Sequence, residues 1–406
     1  MKKQQRILSL EEAQALVLKA QGLVNPSFLK GKEGALSIID QLGYLQIDTL
    51  NVVARSHHHT LWSRSPDYQE KFLNQLLETD KLIFEYWSHA ASYLPMKDYR
   101  FTLPSNKLYA DGKSHWFAQD KKMNKYVLDR IKAEGALQSK DFEFKRNAPG
   151  NWYNWKPAKQ ALEQLFMEGK LMVASRQNFQ KIYDLSERIV PSSIDVSMPS
   201  KNEFASYLIK KAVQANAVVN ESEIGYLRRG LKEVIAKEIK KMLKTGELLA
   251  VGIESAKNIY FTTPDTLLSL EKSSYSKQKA PKPVKYIHFL SPFDNAIIQR
   301  KRLNKLFGFD YNIECYLPEP KRKFGYWCLP ILYNNKFVAR FDPKADRATK
   351  IFYIKSIYFE KDFLKNEDFN EIFVEKLKAF ATFNSCIKIV LNKADKAWKK
   401  EILSKL

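Results

Sequence analysis

At two places in the middle of the chain, the spacing of hydrophobic residues changes from a helical to a strand pattern. The two segments are LFMEGKLMVASRQNFQKIYDL, starting at Leu165, and MLKTGELLAVGIESAKNIYFT, starting at Met242. In each, apolar residues at helical spacing end at a glycine, and two short apolar strands follow with a polar turn between them. The copies lie 77 residues apart, and the glycine precedes the isoleucine of an Ile-Tyr pair by 13 residues in both. The pattern predicts a repeated helix–hairpin unit in which Gly169 and Gly246 end the helices in a left-handed conformation.

Each hairpin is preceded by further helical patterns, at 126–143 and 204–227. Helix, turn, helix, helix and hairpin is the order of a winged helix-turn-helix module. A degenerate first copy fits residues 10–95, with Asp80 in the place of the glycine. The sequence therefore predicts an α+β protein of tandem winged helix-turn-helix modules, and in the second module the polar turn is predicted at 176–178. Three unrelated α+β hairpins are the alternative.

A Lys-, Ser- and Pro-rich stretch at 271–286 contains few apolar residues, which is typical of a linker. Strand-like runs follow it, Asn334 and Asn335 mark a tight turn between two of them, and a helical pattern starts at Glu371. This end predicts a β-rich domain, either a small barrel or a strongly curved sheet. The predicted bounds are 1–120, 121–197 and 198–270 for the three modules, 271–286 for the linker and 287–406 for the β-rich domain.

The chain is strongly basic, with 67 Lys and Arg residues against 45 Asp and Glu residues and a formal net charge of +22. A surplus of this size favours a polyanionic partner, nucleic acid above all, although a lysine-rich proteome would produce the same balance. The three cysteines lack metal-type spacing, and no run reaches the length of a membrane span or of the apolar part of a signal peptide. We therefore expect a cytoplasmic monomer that binds double-stranded DNA, without a metal, another cofactor or a membrane partner.

The strand pattern at 45–48 combines two apolar residues with an amide and a carboxylate. Read with a period of two, Leu45 and Ile47 point to one side, and Gln46 and Asp48 point to the other. The apolar pair would anchor the strand to a core, so that the carboxylate is presented with an amide beside it to position a water. A solvated polar strand face is the alternative explanation of this pattern.

Seven segments of the chain are characteristic when taken together, although no single one of them is decisive. They are LGYLQIDTLNVVARSHHHTLWSR, FEYWSHAASYLP, NWYNWKPAKQALEQLF, FQKIYDLSERIVP, FLSPFDNAIIQRKRLNKLFGFDYNIECYLP, KRKFGYWCLPIL and FDPKADR. In this order they resemble one bacterial family, the crosslink-repair DNA glycosylases, which comprises the YcaQ-like (or AlkX-like) and AlkZ-like proteins. The resemblance runs over nearly the whole chain.

The resemblance implies tandem winged helices bent into a C-shaped arrangement around a DNA channel, with a C-terminal barrel-like domain as support. It also implies excision of alkylated purines, including N7-linked guanine crosslinks, by hydrolysis of the N-glycosidic bond. The catalytic element of the family is Gln–apolar–Gln or Gln–apolar–Asp, and Gln46-Ile47-Asp48 has the second form. That form is typical of the YcaQ-like members and favours a broad range of alkylguanines over one narrow natural-product adduct.

The chemistry of such a substrate suits a single carboxylate. A guanine alkylated at N7 is positively charged and leaves readily, so no strong acid is needed to protonate it. Asp48 is then the candidate that stabilises an oxocarbenium-like sugar and directs water at C1′, and Gln46 positions the same water. The motif contains no lysine, which favours a monofunctional glycosylase over a Schiff-base lyase. A winged-helix transcriptional regulator or architectural DNA-binding protein without catalysis is the alternative function.

Further basic and aromatic residues are candidates for DNA contacts. The cluster RSHHHTLWSR and the run FEYWSH are expected to line the channel, and basic residues of the second module to contact phosphates. Packed core residues, a zinc site at the histidines and solvated lysines are the alternatives. The candidates are Arg55, His57, His58, His59, Arg64, Tyr86, Trp87, His89, Lys156, Lys159, Arg176 and Lys181.

Overall fold

The structure is a computed structural model that describes residues 6–24, 28–113, 119–142, 157–228, 230–254, 256–276 and 285–406, without the side chains of 272–276. Its helices and strands fall into four groups along the chain, and none of the helices in the described ranges is long and apolar enough to cross a membrane. The first group consists of β1 Arg6–Leu8, α1 Leu10–Ala20, α2 Gly31–Leu42, β2 Leu45–Gln46, α3 Ser56–Arg64, α4 Glu70–Glu78, β3 Ile83–Trp87, β4 Ala91–Pro95, a 3-10 helix at Met96–Thr102 and α5 Leu103–Ala110. The second group consists of α6 Lys121–Glu134, β5 Leu137–Gln138, a 3-10 turn at Ser139–Asp141, α7 Pro157–Met167, β6 Leu171–Gln177, β7 Gln180–Leu185 and α8 Ser186–Ile189.

The last two groups complete the chain. The third group consists of α9 Lys201–Asn216, α10 Glu221–Ile224, α11 Lys232–Thr245, β8 Leu249–Ile253, β9 Tyr260–Thr262 and α12 Pro264–Ser276. The fourth group, the C-terminal domain, consists of β10 Ile287–Phe289, α13 Arg300–Phe307, a 3-10 turn at Glu319–Lys321, β11 Leu329–Tyr333, β12 Lys336–Asp346, β13 Ile351–Phe359, α14 Glu367–Phe383, β14 Lys388–Lys393 and α15 Lys396–Lys405.

The first three groups share one arrangement of strands. The first sheet has the order β2-β4-β3, and the second has the order β5-β7-β6. In the third group, β9 lies between β8 and a single bridge from Val219 to Phe261. In each case a short extended segment between two helices pairs with the second strand of a hairpin, and Gly169 and Gly246 follow α7 and α11 with positive φ, as predicted. The repeated order supports the expectation of three helix–hairpin units in tandem.

The hairpin of the second group turns later than the polar run suggested. β6 continues through Gln177, and the turn is formed by Asn178 and Phe179, whose φ angles are 48° and 67°. A two-residue turn whose twist matches that of its strands requires positive φ at both positions. The turn predicted at 176–178 is therefore misplaced, and Arg176 lies within a strand.

The N-terminal strand belongs to the third sheet and not to the first. β1 pairs in parallel with β8, from Arg6 opposite Val251 to Leu8 opposite Ile253. Leu8 and residues of α1 are buried in one cluster with Val251 and Tyr260. The predicted first module begins at residue 1, but β1 packs with the third module, because it pairs with β8.

The C-terminal sheet is open. Its order is β10-β11-β12-β13-β14, with antiparallel pairing except between β13 and β14, which are parallel and connected through α14. β10 and β14 lie at opposite edges, so the described strands do not close. Of the two forms expected for this domain, the closed barrel is therefore wrong, and Phe373 and Phe380 of α14 pack on the open sheet. Of the linker predicted at 271–286, the first six residues belong to α12, which extends to Ser276, and 277–284 lie outside the described residues.

The first group and the C-terminal domain share one hydrophobic core. Trp62 of α3 packs on Phe380 and Phe383 of α14, with ring centres 5.2 and 5.0 Å apart. The N–H of Ala54, just before α3, donates to the side-chain oxygen of Asn384 at 2.6 Å. Every residue of α3 is buried as a result. The C-terminal domain thus holds α3 and the segment that leads into it from β2.

Candidate active site

Gln46 is the last residue of the short strand β2, and Asp48 lies two residues beyond it. β2 pairs with β4, and the N–H of Ile47 continues the ladder by donating to the Ala91 carbonyl at 2.8 Å. Leu45 is fully buried in the core shared with the C-terminal domain, and Ile47 packs against that core. Alternation along the strand then directs the Gln46 amide away from this core, and Asp48 follows just beyond the end of β2. The contacts of the apolar pair are those that the sequence pattern predicted.

The Asp48 carboxylate is half-buried just beyond the strand. Its Oδ2 accepts a hydrogen bond from the N–H of Leu50 at 3.2 Å, which holds it in a local turn. Burial raises the pKa of Asp48 above its usual value, and the N–H groups of Leu50 and Thr49 and the charge of Arg55 oppose this only in part. A carboxylate of this kind accepts a proton more readily than a fully solvated one.

We expect Asp48→Asn to raise the melting temperature at pH 7.5 by a small amount, about 1–3 °C. A carboxyl whose pKa is raised on folding favours the folded state only while it is protonated, and that contribution is lost as the pH rises through the raised pKa. The amide does not titrate, so the advantage of the variant should disappear as the pH falls below about 4. Thermal denaturation of both proteins between pH 3.5 and 8 measures this difference. A variant that melts below the wild type at pH 7.5 would contradict the raised pKa.

His89, in the turn between β3 and β4, contacts Gln46 directly. Its Nε2 lies 3.0 Å from Oε1 of the amide. The ring centre lies 4.9 Å from that of Tyr44 and 5.6 Å from that of Tyr226. Burial, aided by the charge of Arg228, lowers the pKa of His89 to about 4, so the ring is neutral at physiological pH. His89 was predicted as a DNA contact, and the structure places it against the candidate amide.

The three consecutive histidines of α3 are buried, with exposed fractions of 1%, 8% and 0% for His57, His58 and His59. Nδ1 of His58 lies 2.7 Å from the Tyr68 hydroxyl, and Nε2 of His59 lies 2.8 Å from the Phe289 carbonyl oxygen. Burial lowers the pKa of all three below the usual value. The predicted DNA contacts are therefore wrong for these residues, because α3 is enclosed by the core, and packed core histidines are confirmed. The described residues contain no group of three potential metal ligands.

Arg64, at the end of α3, is also enclosed. Its guanidinium donates to both carboxylate oxygens of Asp294, at 2.8 and 2.9 Å, and to the Gln21 carbonyl at 2.6 Å. Neither side chain of the ion pair has any exposed surface. Burial alone would raise the pKa of Asp294, but Arg64 outweighs it and the pKa lies below its usual value. The predicted DNA contact of Arg64 is therefore wrong, and the residue ties α3 to the C-terminal domain.

The tip of the second hairpin lies beside the candidate site. The ring centre of Phe179 is 4.1 Å from the guanidinium carbon of Arg55 and 4.4 Å from that of Arg176. Arg176 donates to both carboxylate oxygens of the buried Glu85, at 2.6 and 2.7 Å. The predicted phosphate contact of Arg176 is therefore wrong, because Glu85 already neutralises it. The charge of Arg55 partly opposes the rise in the pKa of Asp48, and Arg55 stays a candidate for a DNA contact.

Two other candidates are held inside the protein. Tyr86 is buried between the first and second groups, and its hydroxyl donates to the Met167 carbonyl at 2.8 Å. Lys181 pairs with Glu163 at 3.1 Å, and both side chains are only about one-fifth exposed, at 21% and 22%. The alternative of a core residue is thus confirmed for Tyr86. The phosphate contact predicted for Lys181 stays a prediction, and in this structure its ammonium group pairs with a carboxylate of its own module.

The rest of the DNA-contact candidates lie at the surface or beyond the described ranges. Trp87 is 41% exposed at the end of β3, where the first hairpin leaves the sheet. Lys159 is exposed on the first turn of α7. Both therefore stay predictions, whereas Lys156 lies outside the described residues. An exposed tryptophan and an exposed lysine suit stacking and phosphate contact respectively.

The comparisons with known proteins agree with this geometry. A family model described as DNA glycosylase AlkZ-like matches residues 39–383, which include the candidate site. The chain belongs to the AlkZ-like DNA glycosylase family. Among solved structures, the Streptomyces sahachiroi DNA glycosylase AlkZ is similar over 96% of this chain and 100% of its own, with a TM-score of 0.63 and 14% sequence identity. At that identity the likeness concerns the fold, and it confirms the α+β class.

Membership settles the class of activity. The chain is a DNA glycosylase, and therefore a hydrolase that acts on DNA. The resemblance inferred from seven sequence segments is confirmed. The identity of the substrate base and the roles of single residues are matters of proposal.

Sequence reasoning missed one neighbour of the candidate carboxylate in this AlkZ-like glycosylase. Tyr316 is 73% exposed in the segment that leads from α13 to β11. Burial raises the pKa of the Cys315 thiol and of the Tyr316 phenol, and the charge of Asp48 raises both further. The two residues therefore lie near Asp48. The segment YNIECYLP is part of the family resemblance, but nothing in its pattern marks the tyrosine as a site residue.

Proposed function

We propose that this chain is a monofunctional DNA glycosylase that hydrolyses the N-glycosidic bond of N7-alkylguanine, both as a monoadduct and in interstrand crosslinks. The observation that carries the proposal is the half-buried Asp48 carboxylate just beyond β2, two residues after Gln46, with Leu45 and Ile47 anchored in the core. Membership of the family supports the reaction class, and the Gln–Ile–Asp form supports the wider range of alkylguanines.

The reaction needs one proton acceptor and one positioned water. The bond between C1′ and N9 breaks, and its electron pair neutralises the positive charge that the N7-alkyl group gave the base. The oxygen of water then forms the new bond to C1′, and its proton passes to the Asp48 carboxylate. The same negative charge stabilises the oxocarbenium-like sugar while the two bonds change. The raised pKa of Asp48 supports this role, since it makes the carboxylate a better proton acceptor.

The DNA is expected to approach the side of the first module on which the polar pair and its exposed neighbours lie. Arg55 and Tyr316 are near Asp48, and Trp87 is exposed at the end of β3. We propose that these side chains and Lys159 contact the damaged duplex, and that the enzyme acts as a monomer in the cytoplasm, where bacterial DNA lies. A crosslinked base stays attached to the other strand, so an open surface of this kind suits it better than a deep pocket.

The direct test is base release from a duplex that carries a single N7-methylguanine. We expect alkali-sensitive nicking at that site and none in the matched duplex with unmodified guanine. Binding should be indifferent to sequence, and its affinity should fall steeply with salt, since phosphate contacts supply most of it. Failure to release the base from both this duplex and a crosslinked one would contradict the proposal. Tight binding to one undamaged sequence would instead indicate a transcriptional regulator.

A further inference from the structure

The contact between His89 and Gln46 is part of a chain of four side chains at the end of the first hairpin. The Ser92 hydroxyl lies 3.0 Å from the Ser88 hydroxyl, which lies 3.3 Å from Nδ1 of His89. Nε2 of the same ring lies 3.0 Å from Oε1 of Gln46. We propose that His89 is a positioning residue, which donates from Nε2 to the Gln46 carbonyl and so turns the amide NH2 group toward the reacting water. This inference rests on the function proposed above.

The direction of the hydrogen bonds between these side chains follows from the number of protons available. A neutral imidazole carries one N–H, and an amide oxygen only accepts, so the contact requires the proton of His89 on Nε2. Nδ1 then accepts from the Ser88 hydroxyl. The Ser92 hydroxyl donates to the Ala90 carbonyl at 3.0 Å, and the same carbonyl accepts the Ser88 N–H at 2.9 Å. The two donors between Ser88 and Gln46 thus point the same way, toward the amide oxygen.

The surroundings keep the ring neutral and in place. Tyr44 and Tyr226 pack on it, and the charged group that acts on it most is Arg228, which opposes a second proton. Burial has the same effect, because the charged imidazolium is less stable away from water. His89 therefore acts at physiological pH as a fixed donor and not as an acid.

The orientation of the Gln46 amide gives Gln46 and Asp48 different roles in the reaction. With its oxygen held by His89, Gln46 has only N–H groups to offer the water, and it binds one lone pair of the water oxygen. The water donates one proton to Asp48, and its second lone pair is free to attack C1′. Asp48 is then the sole proton acceptor of the pair, while Gln46 serves as a donor that sets the position of the water.

A double-mutant cycle tests the positioning role. Single-turnover excision of N7-methylguanine is measured for the wild type, His89→Ala, Gln46→Ala and the double variant. We expect about a tenfold loss for His89→Ala, the size of one lost hydrogen bond, and no further loss when it is added to Gln46→Ala. His89→Gln keeps an N–H donor of similar reach and should restore most of the rate, with unchanged DNA binding in all variants. Independent, multiplicative losses would overturn the proposal.

The tautomer supplies a readout that does not depend on activity. In nitrogen-15 NMR spectra of the histidine-labelled protein, the signals absent from His89→Gln identify the ring. We expect a protonated Nε2 and an unprotonated Nδ1 between pH 6 and 8. A proton on Nδ1 would overturn the inference even in an active enzyme. The expected tautomer in a protein that releases no base would instead refute the proposed function.

Discussion

Asp48→Asn is expected to abolish base excision while leaving the fold and DNA binding intact. The amide keeps the size of the side chain and can still accept the hydrogen bond from the Leu50 N–H. It carries no negative charge to stabilise the sugar cation and no basic oxygen to accept the proton of the water. We expect a loss of about a thousandfold or more in the single-turnover rate, as for other essential general bases. Quantifying alkali-sensitive nicking of the N7-methylguanine duplex measures it.

Asp195→Asn is the matched control for this substitution. Asp195 makes the same kind of local turn, in which its carboxylate accepts the N–H of Ser197 at 2.8 Å, but it is exposed and lies outside the candidate site. Its replacement should leave the excision rate unchanged. Equal affinities of wild type and Asp48→Asn for the damaged duplex would show that the loss concerns catalysis. An Asp48→Asn variant within tenfold of the wild-type rate would refute the catalytic assignment.

Arg64→Ala is expected to cause the largest loss of stability among the substitutions considered, about 3–5 kcal/mol. The side chains of Arg64 and Asp294 have no exposed surface and are joined by two hydrogen bonds. Removing the guanidinium leaves a carboxylate buried without its counter-ion, and also removes the donor to the Gln21 carbonyl. The free energy of unfolding, or the midpoint where unfolding is not two-state, can be followed by circular dichroism in urea.

Lys125→Ala supplies the comparison, because it breaks an ion pair with Asp129 in which both partners are mostly exposed, at 76% and 61%. That loss should stay below about 1 kcal/mol. The double variant Arg64→Met with Asp294→Leu removes both charges and should recover much of the stability. An Arg64→Ala protein as stable as Lys125→Ala would show that the buried pair does not hold α3 to the C-terminal domain.

The prediction of the candidate site rests on a local signal. Alternation over Leu45–Asp48 separates two anchoring residues from two polar ones, and the family resemblance attaches catalysis to the last three of these positions. The DNA contacts were predicted less well, because charge and aromatic character do not reveal burial. Arg64 and Arg176 are both DNA-contact candidates by their charge, yet each is neutralised by a carboxylate far away in the sequence, Asp294 and Glu85.

The sequence by itself determined the α+β class, the repeated helix–hairpin unit and the family, and it supplied Gln46 and Asp48 as catalytic candidates, because each depends on spacings within short segments. Only the tertiary structure decided that β1 joins the third sheet, that α3 with its histidines lies inside a core shared with the C-terminal domain, and that His89 holds the Gln46 amide. These facts depend on contacts between distant segments. Burial and hydrogen bonds between distant segments arise only when the chain has folded. The spacing of residues within one short segment therefore does not reveal them.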